Sequence, residues 1–169
     1  MTVGLERLWA GWRADFLAEV TGPDRVQGSD EPEDCVLCRV IGEGGAVIWR
    51  GERCAAIVNA YPYTAGHLMV VPLRHVGELE EVAGEEVVEL WATVADAVRA
   101  LKSAYRPDGL NLGANLGRAG GAGVPGHFHV HLLPRWDGDT NFMTTVAEAR
   151  VVPEALPVTL DRLRAAWPA

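Results

Sequence analysis

Residues 126–136 read GHFHVHLLPRW. In an extended chain successive side chains point to opposite faces, so His127, His129 and His131 share one face while Phe128, Val130 and Leu132 share the other. The alternation predicts a strand over 126–133 whose apolar face is turned into a core. Three of the chain's five histidines thereby stand in register. A single strand histidine is usually satisfied by packing or solvent, but three adjacent buried imidazoles would each need a hydrogen-bond partner. Such a row suits a nucleophile whose neighbours fix its tautomer, and it equally suits a zinc trio of strand histidines.

The segment leading into this strand, NLGRAGGAGVPG at 115–126, is rich in glycine. Glycines let backbone N–H groups approach a ligand closely, and consecutive amides form an anion-binding concavity. No GK[ST] follows and no helical pattern begins, so the segment is neither a Walker loop nor a dinucleotide fingerprint. Alone it reads as a hairpin connection; feeding a histidine-bearing strand, it reads as a phosphate cradle. A second informative stretch is AAIVNAYPYTAGHLMVVPLRHV at 55–76. It predicts two strands, 55–58 and 67–73, joined by a turn through 61–66, with Pro72 suited to a strand end. Cys35-Val36-Leu37-Cys38 is a CxxC, which is either a redox pair or half of a zinc site; no βαβ pattern follows it to favour redox chemistry. Cys54 stands alone in a strand pattern and reads as a packed thiol.

At these residues the chain resembles the histidine triad (HIT) superfamily of nucleotide hydrolases and transferases. The signature His-x-His-x-His followed by two apolar residues is matched from His127 to Leu133, and Asn59 stands eight residues before His67, where relatives carry a sugar-binding Asn or Asp. The resemblance covers about residues 35–136. The segments LERLWAGWRADFLAEV, AYPYTAGHLMVVPLRH and PRWDGDTNFM are similar to the bacterial diadenosine polyphosphate phosphorylase/hydrolase-like branch. The resemblance implies an α+β, HIT-like fold with a mostly antiparallel sheet. It also implies a two-step nucleotidyl transfer through a covalent nucleotidyl-histidine, cleaving dinucleoside polyphosphates such as diadenosine tetraphosphate by phosphorolysis or hydrolysis. His129 would be the nucleophile, His131 would contact a phosphate oxygen, and His67 would support it. Asn59 would hold ribose hydroxyls, while Asn115, Gly123 and Val124 would lie along the phosphates. Related uridylyltransferases carry a structural zinc; carried over position by position, its ligands would be Cys35, Cys38, His75 and His127. A homodimer is implied as well.

One departure bears on the substrate. Many relatives carry Ser or Thr just before the triad to protonate a poor leaving group, whereas residues 115–127 contain no hydroxyl and Val124 occupies the comparable place. A nucleoside polyphosphate leaves as a stable anion and needs that proton less, which favours polyphosphates over phosphoramidates. The competing readings are a phosphoramidate hydrolase, a nucleotide-binding signalling module of the same fold, and a metal-dependent hydrolase.

Composition agrees with a cytoplasmic enzyme. The chain has 169 residues and 49% hydrophobic content, enough for a substantial core. It has no 18-residue apolar run, and the charged N-terminus is unlike a signal peptide. Three cysteines fit a reducing compartment better than a disulfide framework. A net charge of −8 argues against nucleic acid as partner and leaves substrate attraction to local groups: loop amides and Arg74, Arg118 or Arg135. Inorganic phosphate is a possible second anion.

Further elements are predicted from periodicity. Leu5, Leu8, Trp9, Trp12, Phe16 and Leu17 indicate a helix over 5–20, and 21–34 reads as a linker. Residues 47–50 and 55–58 form a hairpin about Gly51. Residues 84–105 form a long helix with a broad stripe of Val87, Val88, Leu90, Trp91, Val94, Val98 and Leu101, wide enough to cover a second subunit. Strands are expected at 110–116 and 142–146, and a closing helix at 154–167, interrupted near Pro157. The organisation expected is a helix and linker over 1–34, the HIT domain over 35–140, and an extension over 141–169 packed on the same domain.

Overall fold

The computed structural model describes residues 32–139 and 154–168. The expected helix at 5–20, most of the linker and the strand at 142–146 lie outside these residues. Among the described residues the chain forms α1 (Val36–Glu43), β1 (Val47–Arg50), β2 (Cys54–Val58), β3 (Leu68–Pro72), a 3-10 turn at Leu79–Glu81, α2 (Glu85–Tyr105), β4 (Gly109–Gly113), β5 (Val130–Arg135) and α3 (Leu156–Ala166). The strands make one antiparallel sheet in the order β1-β2-β3-β5-β4. The expected α+β architecture holds.

β2 and β3 are buried at every position, because both faces of the sheet centre are covered. Cys54, Ala56, Val58, Leu68, Val70, Phe128, Val130 and Leu132 face one core with Leu90, Val94, Ala97 and Leu101 of α2 and Leu163 of α3. Ala55, Ile57, Met69 and Val71 face the other side with Cys35, Leu37 and Ile41. The apolar half of the triad segment thus enters the α2 core as its alternation requires, and the histidines fall on the α1 side. Glu89 Oε1 of α2 accepts the amide protons of Arg53 and Cys54 at 2.8 and 2.9 Å, clipping the β1–β2 hairpin to the helix. Gly51 makes that approach possible: a Cβ there would meet Glu89 Oε1 at 2.3 Å.

Several boundaries differ from expectation for physical reasons. β5 begins at Val130 instead of residue 126, because its ladder with β3 runs only from Leu68↔Leu132 to Val70↔Val130. Pro72 offers no amide proton further along, and Phe128 N–H bonds the Val76 carbonyl at 2.6 Å instead. β3 spans 68–72 rather than 67–73, and β4 stops at Gly113, short of the predicted residue 116. Cys35 of the CxxC is the N-cap residue of α1, an eight-residue helix that the periodicity did not announce, closed by Gly44 at φ 75°. On α2 the buried stripe is Leu90, Thr93, Val94, Ala97, Ala100 and Leu101; Val88 and Trp91 are 70% and 48% exposed. α3 starts at Leu156, and Pro157 lies in its first turn, where a missing N–H costs nothing, so it does not interrupt the helix.

Candidate functional site

His127, His129 and His131 arrive on the α1 side of the sheet, and His67 reaches them from the start of β3. All four are buried. Their tautomers follow from their partners. The Tyr63 amide donates to His67 Nδ1 at 3.1 Å, so His67 carries its own proton on Nε2; Asn59 Nδ2 lies 3.3 Å from both ring nitrogens. That nitrogen lies 3.0 Å from His131 Nδ1, which must accept, leaving the His131 proton on Nε2. His129 Nδ1 donates to the His127 carbonyl at 2.8 Å, so its Nε2 holds a bare lone pair. The row therefore presents one nucleophilic nitrogen and one N–H donor on adjacent rings, whose centroids are 4.8 Å apart.

Burial keeps these rings neutral. It is the largest cause in each case: His67 is pushed down to about 3 and His131 to about 4, with neighbouring imidazoles adding to the effect, and His129 is lowered although its bond to the His127 carbonyl opposes the shift. An imidazole in this state can attack an electrophile and leave again near neutral pH.

Asn59, Asn115, Gly123, Val124, His129 and His131 all line one cavity of about 750 Å³. His67 stands behind it, touching the cavity through His131. Asn59 is held by its Oδ1, which accepts the Tyr61 amide proton at 2.9 Å. Asn115 Nδ2 donates to the Gly121 carbonyl at 3.3 Å, tying the glycine loop across its own base. This loop joins the neighbouring strands β4 and β5 as a hairpin connection. Of the arginines expected to draw in an anion, Arg74 pairs with Glu86 at 2.8 Å and Arg135 with Asp139 at 2.6 Å; Arg118 has no ion pair among the described residues. The cavity also takes residues that the motifs did not announce: Tyr63, Val36 and Val40 of α1, Ile57, Met69, and Leu156 and Leu160 of α3. The signal for the helix residues was only their i, i+4 apolar spacing.

His127 turns away from the cavity. Its Nε2 donates to the Pro72 carbonyl at 2.9 Å, so Nδ1 is the bare nitrogen, and it lies 3.4 Å from both Cys35 Sγ and Cys38 Sγ. His75 Nδ1 is also 3.4 Å from Cys38 Sγ, and the four ligand atoms lie within 4.8 Å of one another. An ion with tetrahedral S and N ligands separates sulfur from nitrogen by about 3.5 Å, so this donor set fits zinc, with the Pro72 carbonyl fixing the ring outside the coordination shell. In the protein alone, burial and then the neighbouring Cys35 push the Cys38 thiol up to about 11; a cation would reverse that logic.

The family model described as HIT domain matches residues 44–138. The chain is 40% identical over 165 residues to a protein of Mycobacterium tuberculosis named AP-4-A phosphorylase, covering 96% of this chain and 85% of that one. Among solved structures, a hypothetical histidine triad nucleotide-binding protein of Sulfolobus tokodaii superposes with a TM-score of 0.66 at 30% identity, over 78% of this chain and 91% of the other. A zinc-bound histidine triad family protein of Mycobacterium smegmatis gives a TM-score of 0.66 at 28% identity, over 80% and 94%.

Proposed function

The chain belongs to the HIT domain family, and from that premise we propose that it is a nucleotidyl-transferring enzyme that cleaves dinucleoside polyphosphates, diadenosine tetraphosphate among them. The observation that carries this reading is the tautomer chain that leaves His129 Nε2 bare at the cavity while His131 Nε2 keeps a proton beside it. His129 Nε2 attacks the α-phosphorus; the bond to the bridging oxygen breaks, and a nucleoside triphosphate leaves with that electron pair. Inorganic phosphate or water then attacks the same phosphorus, the P–N bond breaks, and His129 is restored. His131 Nε2–H donates to a phosphate oxygen, His67 holds His131 in its tautomer, and the amides of the 120–126 loop stabilise charge on the phosphoryl group in transit. Asn59 holds the ribose; Asn115, Gly123 and Val124 flank the phosphates. The relative named a phosphorylase supports phosphate as the acceptor.

Cys35, Cys38, His75 and His127 hold a structural zinc in this reading. As ligands to one ion these residues would tie α1, the segment after β3 and the approach to β5 together. A second copy of the chain completes the molecule: exposed Val88 and Trp91 on α2, with Leu112 at 47% and Leu116 at 49% near the β4 edge, support a homodimer. No helix among the described residues is long and apolar enough to cross a membrane. The direct test is rapid quenching with diadenosine tetraphosphate followed by intact mass spectrometry. The protein should gain one adenylyl group, and the His129→Asn variant should gain none; an adduct that persists in that variant would refute the assignment.

A further inference from the structure

The cavity has a wall that the family match does not contain. The HIT domain match ends at residue 138, yet Leu156, Pro157 and Leu160 of α3 line the cavity. Leu156 and Leu160 are half-buried and one helical turn apart, so they project from the same face of α3. Val36 and Val40 of α1 contribute a second pair at the same spacing, and Ile57 of β2 joins them. These six side chains carry no polar atom; the polar side chains of the lining are Asn59, Asn115, His129 and His131, with Tyr61 and Tyr63.

α3 is fastened through residues that do not line the cavity. Arg164 Nε and Nη2 donate to the Val47 carbonyl at 3.0 and 2.6 Å. Trp167 stacks on Trp49 at 5.9 Å. At the other end Glu154 accepts from Thr159 Oγ1 at 2.8 Å and from the Tyr105 hydroxyl, and pairs with Arg162 at 3.0 Å. Fastening at both ends makes the Leu156–Leu160 face a fixed surface.

We propose that α3 is a specificity wall, in which Leu156 and Leu160 set the depth of an apolar slot that receives the nucleobase of the transferred nucleotide. The proposal rests on the nucleotidyl-transfer reading above. A slot bounded by aliphatic side chains suits a planar aromatic base and selects it by shape, because these walls offer no hydrogen-bonding group to read its edge. Leu160→Phe shortens the slot and Leu160→Ala deepens it.

The test is calorimetric titration of the full chain and both variants with AMP, UMP and ethenoadenosine monophosphate. Steady-state kinetics on diadenosine and diuridine tetraphosphate accompany it. Leu160→Phe should lower the AMP-to-UMP affinity ratio by at least about tenfold and lower kcat/KM for the diadenosine substrate relative to the diuridine substrate. Leu160→Ala should favour the bulkier etheno base relative to AMP. If Leu160→Phe does not fold, Leu156→Phe, on the same face, carries the same prediction. Folded variants whose ratios match wild type would overturn the wall. A wild-type protein that binds neither AMP nor UMP would instead overturn the nucleotide reading itself.

Discussion

His67 Nε2 lies 3.0 Å from His131 Nδ1, with both rings buried. The contact requires a proton on one nitrogen and a lone pair on the other, and the Tyr63 amide on the far side of His67 decides which is which. Both rings must stay neutral for the arrangement to survive. Burial sees to this, holding His67 at about 3 and His131 at about 4 against an ordinary value of 6.5.

That depression makes stability depend on pH with a definite sign. Between about pH 4 and 6.5 the unfolded chain binds protons at these histidines that the native state refuses, so stability is fully present above 6.5 and falls as the pH drops. Denaturant midpoints measured from pH 7.5 to 5 should decline, and the decline should be shallower in His67→Asn, which removes one refusing group. Parallel pH curves for the two proteins would contradict the account.

His129→Asn removes the nucleophile while its neighbours keep the cavity. Turnover should fall by at least about 10³-fold, with substrate binding largely retained. Turnover at a tenth of wild type or better would rule out covalent catalysis at this residue.

Protein expressed without added metal should contain about one zinc per chain by elemental analysis. Cys38→Ser should lower the melting temperature more than it lowers kcat, since Cys38 faces His75 and His127 and does not line the cavity. A metal-free protein whose melting temperature is indifferent to chelator would remove the zinc centre.

Gly66 has φ 78°, and a Cβ there would meet Tyr105 Cε2 at 2.8 Å and Pro134 Cγ at 3.0 Å. Gly66→Ala should therefore cost roughly 1–3 kcal/mol from the backbone conformation alone, read as a shift in urea midpoint. An unchanged midpoint would show that the turn before His67 can relax.

What was legible in the sequence was what periodicity and motif spacing encode. Alternation in FHVHLL assigned the histidines to one face and Phe128, Val130 and Leu132 to the core, and the spacing of the apolar residues in 84–105 gave α2. The family resemblance named Cys35, Cys38, His75 and His127, and the fold brings their ligand atoms together. α1 was hidden because it is short and Cys35 makes no side-chain capping bond to mark its start. The width of the α2 stripe was overstated, since sequence alone does not tell a buried Val94 from an exposed Val88. The approach of α3 to the cavity rests on contacts across more than a hundred residues, such as Arg164 to the Val47 carbonyl, which no local pattern encodes.

The central claim is nucleotidyl transfer from a dinucleoside polyphosphate to phosphate, and product identity tests it most directly. Purified protein should be incubated with diadenosine tetraphosphate with and without millimolar phosphate, and the nucleotides resolved. ATP and ADP should appear, at a rate that climbs with phosphate concentration. AMP as the sole companion of ATP in saturating phosphate would make the enzyme a hydrolase, and intact diadenosine tetraphosphate in both arms would contradict the function itself.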